Sequence, residues 1–381
     1  MKNNPLKQLE LLGQSIWLDY IRRDLIASGE LRRLIEEDGL RGMTSNPAIF
    51  EKAIVDSHDY DESIRVMALK GKGAPEIYET ISHRDVQSAA DEFLPLYDRT
   101  DGKDGYVSLE VNPHLAHDTH GTMLEARRLW SALNRPNVFI KVPATIEGLP
   151  AIQQLICEGI NVNVTLLFGL PRYRQVADAY IAGLESRLAQ GKAVKHVASV
   201  ASFFVSRIDS HVDPLLATIL AQGGKEADLA KEVCGQVAVA SAKLAYQIYK
   251  EIFDTLRFKR LADEGARVQR LLWASTGTKN PGYSDVKYIE TLIGPDTVNT
   301  VPVETLNAYR DHGVATASLE KEVAEAAAVL TRLSELGIDL NKVTQQLEDE
   351  GVEKFNKPFD NLMNTLVERS RDADASSKST G

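Results

Sequence analysis

Short runs of strand-forming residues alternate with long amphipathic stretches along almost the whole of this chain, and that alternation constrains its fold most. The strand-like runs are 15–19, 40–45, 106–111, 138–142, 160–166, 195–202, 271–275 and Thr297–Val301. Helical patterns lie between them, clearest over 121–133, 149–157 and 173–190. A strand that must cross a helix before the next strand begins pairs parallel with it. Eight such units within 381 residues predict a (β/α)8 TIM barrel over an open doubly wound sheet. The connections 47–105 and 207–267 are long enough for several extra helices. Further helical patterns follow the last strand, over 319–336 and 341–370, and are expected to pack around the outside of the barrel. No internal repeat or composition shift marks a second unit, so 1–370 reads as one barrel domain. The tail 371–381 is rich in Ser and Asp and lacks an apolar anchor, so disorder is expected there.

Charge and composition narrow the function. The net charge of −10 argues against a nucleic-acid partner, because a phosphate backbone needs a basic face. It leaves room for a small phosphorylated ligand, which needs only a few local donors. Cys157 and Cys234 form no disulfide framework and no C-x-x-C pair, which fits a reducing, cytoplasmic setting. Residues 1–5 lack the apolar core of a signal peptide, and no uncharged apolar run reaches membrane-spanning length. There is no glycine-rich nucleotide motif. His114, His117 and His120 stand three apart, a spacing that spreads them around a helix and converges poorly on a metal, so they read as surface residues.

Barrels of this class carry their chemistry at the C-terminal ends of the strands. The fourth run, Asn137-Val138-Phe139-Ile140-Lys141-Val142-Pro143, ends an apolar strand with a lysine. An amine held in an apolar site gives up its proton more readily, and the neutral amine attacks carbonyls. Lys141 is therefore a candidate Schiff-base former. The other strands end in Asp19, Ser45-Asn46, Glu110, Asn163 with Thr165, Ser202, and Ser275. Side chains alternate faces along a strand, so Lys141 shares a face with Phe139, Asp19 with Trp17, Glu110 with Ser108, and Thr165 with Asn163. The alternate positions Ile16, Leu18, Leu109, Val138, Ile140, Val162 and Val164 are aliphatic and suit packing against outer helices. Parity thus sends the polar set to one axis. That set suits amine-based carbonyl chemistry. Glu110 would move protons through a water oriented by Thr165, Asp19 would take the proton of a hydroxyl that becomes an aldehyde, and Asn46 and Asn163 would bind hydroxyls.

The ordered motifs Ser-Ile-Trp-Leu-Asp19, Thr44-Ser45-Asn46-Pro47, Val-Ser-Leu-Glu110-Val, Ile-Lys141-Val-Pro-Ala-Thr, Asn163-Val-Thr165-Leu-Leu-Phe168 and Ala201-Ser202-Phe203-Phe204-Val205-Ser206-Arg207 resemble the transaldolase family. The stretch Trp273-Ala274-Ser275-Thr276-Gly277-Thr278-Lys279-Asn280 is similar to its longer members rather than its short aldolase-like branch. The resemblance implies a class I aldolase mechanism with neither metal nor organic cofactor. A dihydroxyacetone unit would pass from a ketose phosphate (sedoheptulose 7-phosphate or fructose 6-phosphate) to an aldose phosphate (glyceraldehyde 3-phosphate or erythrose 4-phosphate), as in the non-oxidative pentose phosphate pathway. It implies Lys141 as the Schiff-base lysine, Glu110 with Thr165 as the acid–base relay, and Asp19 at the cleaved hydroxyl. Asn46, Asn163 and Ser202 would bind the dihydroxyacetone portion, Phe204 would wall the pocket, and Arg207 and Ser275 would bind phosphate. Many shorter relatives carry a second phosphate-binding arginine where this chain has Gly277, and Lys279 is the nearest replacement. Small sugar phosphates are the expected partners of a monomer or homodimer, with no nucleic acid and no membrane. Two rival readings are an aldolase that cleaves off free dihydroxyacetone through the same lysine, and a barrel that has lost catalysis. The second is expected to lose Lys141 or Glu110, and both are present.

Overall fold

The structure, a computed structural model, describes residues 4–379, with side chains through Arg371. Eight parallel strands close into a barrel in sequence order: β1 Gln14–Asp19, β2 Gly42–Thr44, β3 Tyr106–Glu110, β4 Val138–Pro143, β5 Val162–Leu167, β6 Ser199–Phe204, β7 Arg270–Ala274 and β8 Thr297–Val301. β8 returns to pair with β1, so no strand edge is left open. Each strand coincides with an expected run within a few residues. β6 differs most. It begins at Ser199 rather than 195, because 194–197 is held in a turn and Ala198 N–H donates to the Asn161 side chain at 2.9 Å. The strand therefore runs on through Phe204.

The inner face follows the expected parity. Trp17, Tyr106 and Phe139, all essentially buried, stack across the barrel axis, with 4.3 Å between the Tyr106 and Phe139 ring centroids and 6.2 Å between those of Trp17 and Phe139. Two residues further along the same strands stand Asp19, Glu110 (after Ser108) and Lys141, so the charged groups sit on an apolar plug. Gly42 is required here, because a Cβ would lie 2.5 Å from the Trp17 indole.

The long connections carry the extra helices. Pro47–Val55, Asp61–Leu69 and Ala74–Arg99 fill the first, and four helices from Ser206 to Asp263 fill the second. The helix Val323–Glu335 lies on the outside, against Val237–Phe253, as expected. The last helix, Leu340–Ser379, corrects the expectation. It packs against β5 and against the helices that follow β2, β3 and β6, and so crosses the C-terminal mouth of the barrel. Its apolar residues recur at helical spacing like those of any outer helix, and only the assembled barrel shows that they face the mouth. Its backbone is helical to Ser379, across most of the expected disordered tail 371–381, and 380–381 lie outside the described residues. Among the described residues no helix is long and apolar enough to cross a membrane.

Candidate active site

Strand register sets the centre of the site. Glu110 on β3 pairs with Lys141 on β4, and Lys141 pairs with Asn163 on β5. In-register parallel neighbours point the same way, so these three side chains stand side by side on the inner face. Lys141 Nζ lies 3.4 Å from Glu110 Oε2 and donates to the Ser45 carbonyl at 2.9 Å, with 6 % and 3 % of the two side chains exposed. Among the described residues neither Glu110 oxygen has a hydrogen-bond partner, and neither has the Thr165 hydroxyl. Burial pushes the Glu110 carboxyl up to about 7, against the opposing pull of the Lys141 ammonium. Burial also raises the Asp19 carboxyl, opposed by Lys141 and by the hydrogen bond from Thr44. Thr44 Oγ1 donates to Asp19 Oδ1 at 2.7 Å, and Thr300 Oγ1 lies 2.7 Å from Thr44 Oγ1. The Thr44 proton is committed to Asp19, so Thr300 donates to Thr44 and the chain of hydroxyls fixes the carboxylate.

A cavity of about 280 Å³ opens above this layer. Asp19, Asn46, Lys141, Thr165, Ser202, Phe204, Arg207, Ser275 and Lys279 all line it, as the sequence expected. Two expected residues do not. Glu110 lies behind Lys141, and Asn163 is wholly buried below Ser202, whose hydroxyl donates to Asn163 Oδ1 at 2.6 Å while Asn163 Nδ2 donates to Ser108 at 3.1 Å. Asn163 thus orients Ser202 instead of facing the cavity. Asn46 caps the Pro47–Val55 helix through Oδ1, which accepts from Ile49 N–H at 3.0 Å, and its amide nitrogen donates to no described protein group. At β5 the backbone bulges between Val164 and Leu167, with Leu166 at φ 55°, a left-handed conformation costing about 1–2 kcal/mol.

Arg207 is the second residue of the helix Ser206–Gln222, and its guanidinium lies 5.1 Å from the Phe204 ring centroid. It makes no ion pair among the described residues, and its Nη1 is buried without a partner. Burial lowers its pKa, and Asp19 and Glu110 oppose that shift. A half-buried guanidinium in the first turn of a helix, without an ion pair among the described residues, can accept an anion. Ser275 stands next to it, with Ser206 Oγ 3.1 Å from Ser275 Oγ. At Gly277 a Cβ would come within 3.0 Å of Pro302 Cγ, so a side chain there needs the Pro302 ring to give by a few tenths of an ångström. Lys279, exposed on the rim, is the nearby cation that remains.

His114, His117 and His120 are exposed, with His114 against Asp360 and His117 against Glu147. Among the described residues no group of three His, Cys, Asp or Glu side chains is placed to hold a metal. Sequence reasoning missed Thr44 and Thr300 as orienting groups, and Phe355 as a wall of the cavity. The strand-end rule extends to Thr300 on β8. Nothing in the sequence separates Phe355 from an ordinary core phenylalanine of a helix.

Chemically the site is built for attack by an amine on a carbonyl, inside a (β/α)8 barrel. The family described as Transaldolase/Fructose-6-phosphate aldolase matches residues 16–366. A transaldolase of Trichodesmium erythraeum is 48% identical over 373 residues, covering 97% of this chain and 98% of the relative. "Transaldolase 2" of a Nostoc species is 49% identical over 371 residues, covering 96% and 97%. A transaldolase of Saccharopolyspora erythraea is 47% identical over 368 residues, covering 96% and 98%. The chain belongs to the transaldolase/fructose-6-phosphate aldolase family.

Proposed function

We propose that this chain is a transaldolase, moving a dihydroxyacetone unit from a ketose phosphate to an aldose phosphate through a Schiff base on Lys141. The observation that carries this reading is the buried Lys141–Glu110 pair beside a cavity also lined by Arg207, which makes no ion pair among the described residues. Lys141 attacks the ketone. Glu110, ionised near neutrality, shuttles protons through a water held with Thr165 during carbinolamine formation and loss. Asp19 takes the proton of the hydroxyl that becomes an aldehyde as the C–C bond breaks. Ser202, oriented from beneath by Asn163, and Asn46 hold the dihydroxyacetone hydroxyls. Arg207, Ser275 and Lys279 bind the phosphate, and Phe204 walls its side. Fructose 6-phosphate with borohydride should leave a three- or six-carbon adduct on Lys141, read by peptide mass spectrometry. No adduct, or an adduct on another lysine, overturns the reading. Product analysis with and without an aldose phosphate separates transfer from simple release of dihydroxyacetone.

The phosphate assignment makes its own prediction. Charge-assisted hydrogen bonds contribute about 1.5–3 kcal/mol each, so Arg207→Ala should raise KM for phosphorylated substrates roughly ten- to a hundredfold. Reaction with unphosphorylated donors should barely change. Equal losses on both would assign Arg207 to structure.

We also take 1–370 as one domain acting in the cytoplasm on small sugar phosphates. One contiguous apolar core running from Leu6 to Leu366 supports the single domain, and the free thiols Cys157 and Cys234 fit the compartment. A chain ending at Ser370 should keep its melting temperature and its activity. Loss of either would tie 371–381 to the fold.

A further inference from the structure

We infer that Tyr283 is a positioning residue of the phosphate site: through Asp213 it ties the loop that carries Lys279 to the helix that carries Arg207, so that both cations are in place before a phosphate arrives. The inference rests on the reading of Arg207 and Lys279 as phosphate ligands.

Lys279 is the more mobile half of that pair. A lysine offers a point charge on a flexible stem, where an arginine offers a planar fork. Its backbone lies in the connection between β7 and the short helix Lys287–Glu290, outside any regular element. A cation placed there binds best when the loop beneath it is already ordered, because ordering a loop at the moment of binding costs affinity. The loop is first closed on itself. The Thr278 hydroxyl donates to the Ser284 carbonyl at 2.8 Å. Asn280 accepts the Gly282 N–H through its side chain at 2.9 Å and the Tyr283 N–H through its carbonyl at 3.1 Å. Lys279 and Tyr283 therefore belong to one compact unit.

Tyr283 is the arm by which this unit reaches the neighbouring helix Ser206–Gln222. Its hydroxyl donates to Asp213 Oδ2 at 2.7 Å, while Asp213 Oδ1 accepts the Gly235 N–H at 2.9 Å. Gly235 makes room for that approach. It stands at φ 71°, and a Cβ there would lie 2.5 Å from the Tyr283 hydroxyl oxygen. Asp209, one turn before Asp213 on the same helix, fastens the exit of the loop. It accepts from Lys287 Nζ at 3.1 Å, from the Tyr288 hydroxyl at 2.8 Å and from the Ala238 N–H at 2.8 Å. Two carboxylates thus hold the loop at its crown and at its exit, and Arg207 stands in the first turn of the helix that supplies them. Lys279 lines both the substrate cavity and a second cavity of about 450 Å³, which Asp209, Asp213 and Tyr283 also line. The loop is the wall between the two, fastened on one face and offering its cation on the other.

Tyr283→Phe tests this with the least disturbance, since it removes the hydroxyl and keeps the ring whose centroid lies 3.8 Å from Lys287 Nζ. KM for fructose 6-phosphate and the inhibition constant of inorganic phosphate should both rise roughly three- to tenfold, with kcat within about twofold of wild type. With fructose and glyceraldehyde, which carry no phosphate, kcat/KM should stay at the wild-type level. Lys279→Ala should raise the same two constants, and the double variant should match Lys279→Ala alone, because a loop without its cation has nothing left to position. Asp213→Ala cuts the tie from the helix side and should give the same pattern, and it decides the matter if Tyr283→Phe does not fold. An unmoved phosphate constant, a penalty that persists in full on the Lys279→Ala background, or an equal loss on the unphosphorylated pair overturns the inference. If Lys279→Ala leaves both constants at wild type, Lys279 is no phosphate ligand, and the inference falls with that assignment. If Lys279→Ala moves them and Tyr283→Phe does not, only this inference falls. The borohydride adduct on Lys141 tests the transaldolase reading independently of both.

Discussion

Replacing Lys141 by alanine or by arginine abolishes turnover while the barrel stays folded. The expected loss is about 10⁴-fold or more, because Lys141 is the buried amine beside Glu110, while Lys279, the other amine lining the cavity among the described residues, is exposed on the rim. Arginine keeps the charge but stays protonated and cannot attack a ketone. The fold survives because Lys141 is a strand end whose neighbours are held by the barrel ladder, and Glu110 answers the lost counter-charge by keeping its proton. Its carboxyl is already pushed up to about 7 by burial, and removing the ammonium that opposes this raises it further. Circular dichroism and melting temperature check the fold, and a coupled assay of sugar-phosphate transfer checks turnover. Near-wild-type activity in either variant would end the Schiff-base assignment.

Glu110→Gln should cost turnover on the order of 100-fold or more, the usual scale for a lost acid–base group. Amide and carboxyl are nearly isosteric, so the ketose should still bind and KM should move little. The pH dependence supplies the sharper readout. Glu110 must be ionised to accept a proton, and its carboxyl titrates near 7, so kcat in the wild type should rise through about pH 7. Glu110→Gln should flatten that limb. Stability moves the other way. The folded carboxyl titrates at about 7 against an ordinary 4.5, so between those values the folded state holds a proton that the unfolded state has released. Stability contributed by this group is full below about 4.5, declines as pH rises toward about 7 and is level above it. Glu110→Gln should remove that decline from the melting-temperature profile. A variant that keeps the wild-type limb in kcat would assign the titration to another group, with Asp19 the next to test.

The sequence alone determined the barrel, because the alternation of strand and helix periodicities leaves parallel pairing as the way to join the strands, and eight units close on themselves. It also determined which face of each strand carries the chemistry. Alternation is a property of the extended backbone, so Asp19, Glu110, Lys141 and Thr165 were committed to the axis before any packing was known. Tertiary structure decided what those groups meet. The register of β3 against β4 brings Glu110 to Lys141, and that of β4 against β5 brings Asn163 to the same layer. The hydrogen bond from Ser202 then shows Asn163 acting from beneath. The bulge at Leu166 has no glycine to announce it, because Gly351, far along the chain, makes room for it. Phe355 was the least legible of all. A helix records in its own sequence which of its faces is apolar, but the body that buries the face belongs to other segments. Here that body is the mouth of the barrel, so a residue spelled like core packing walls the cavity.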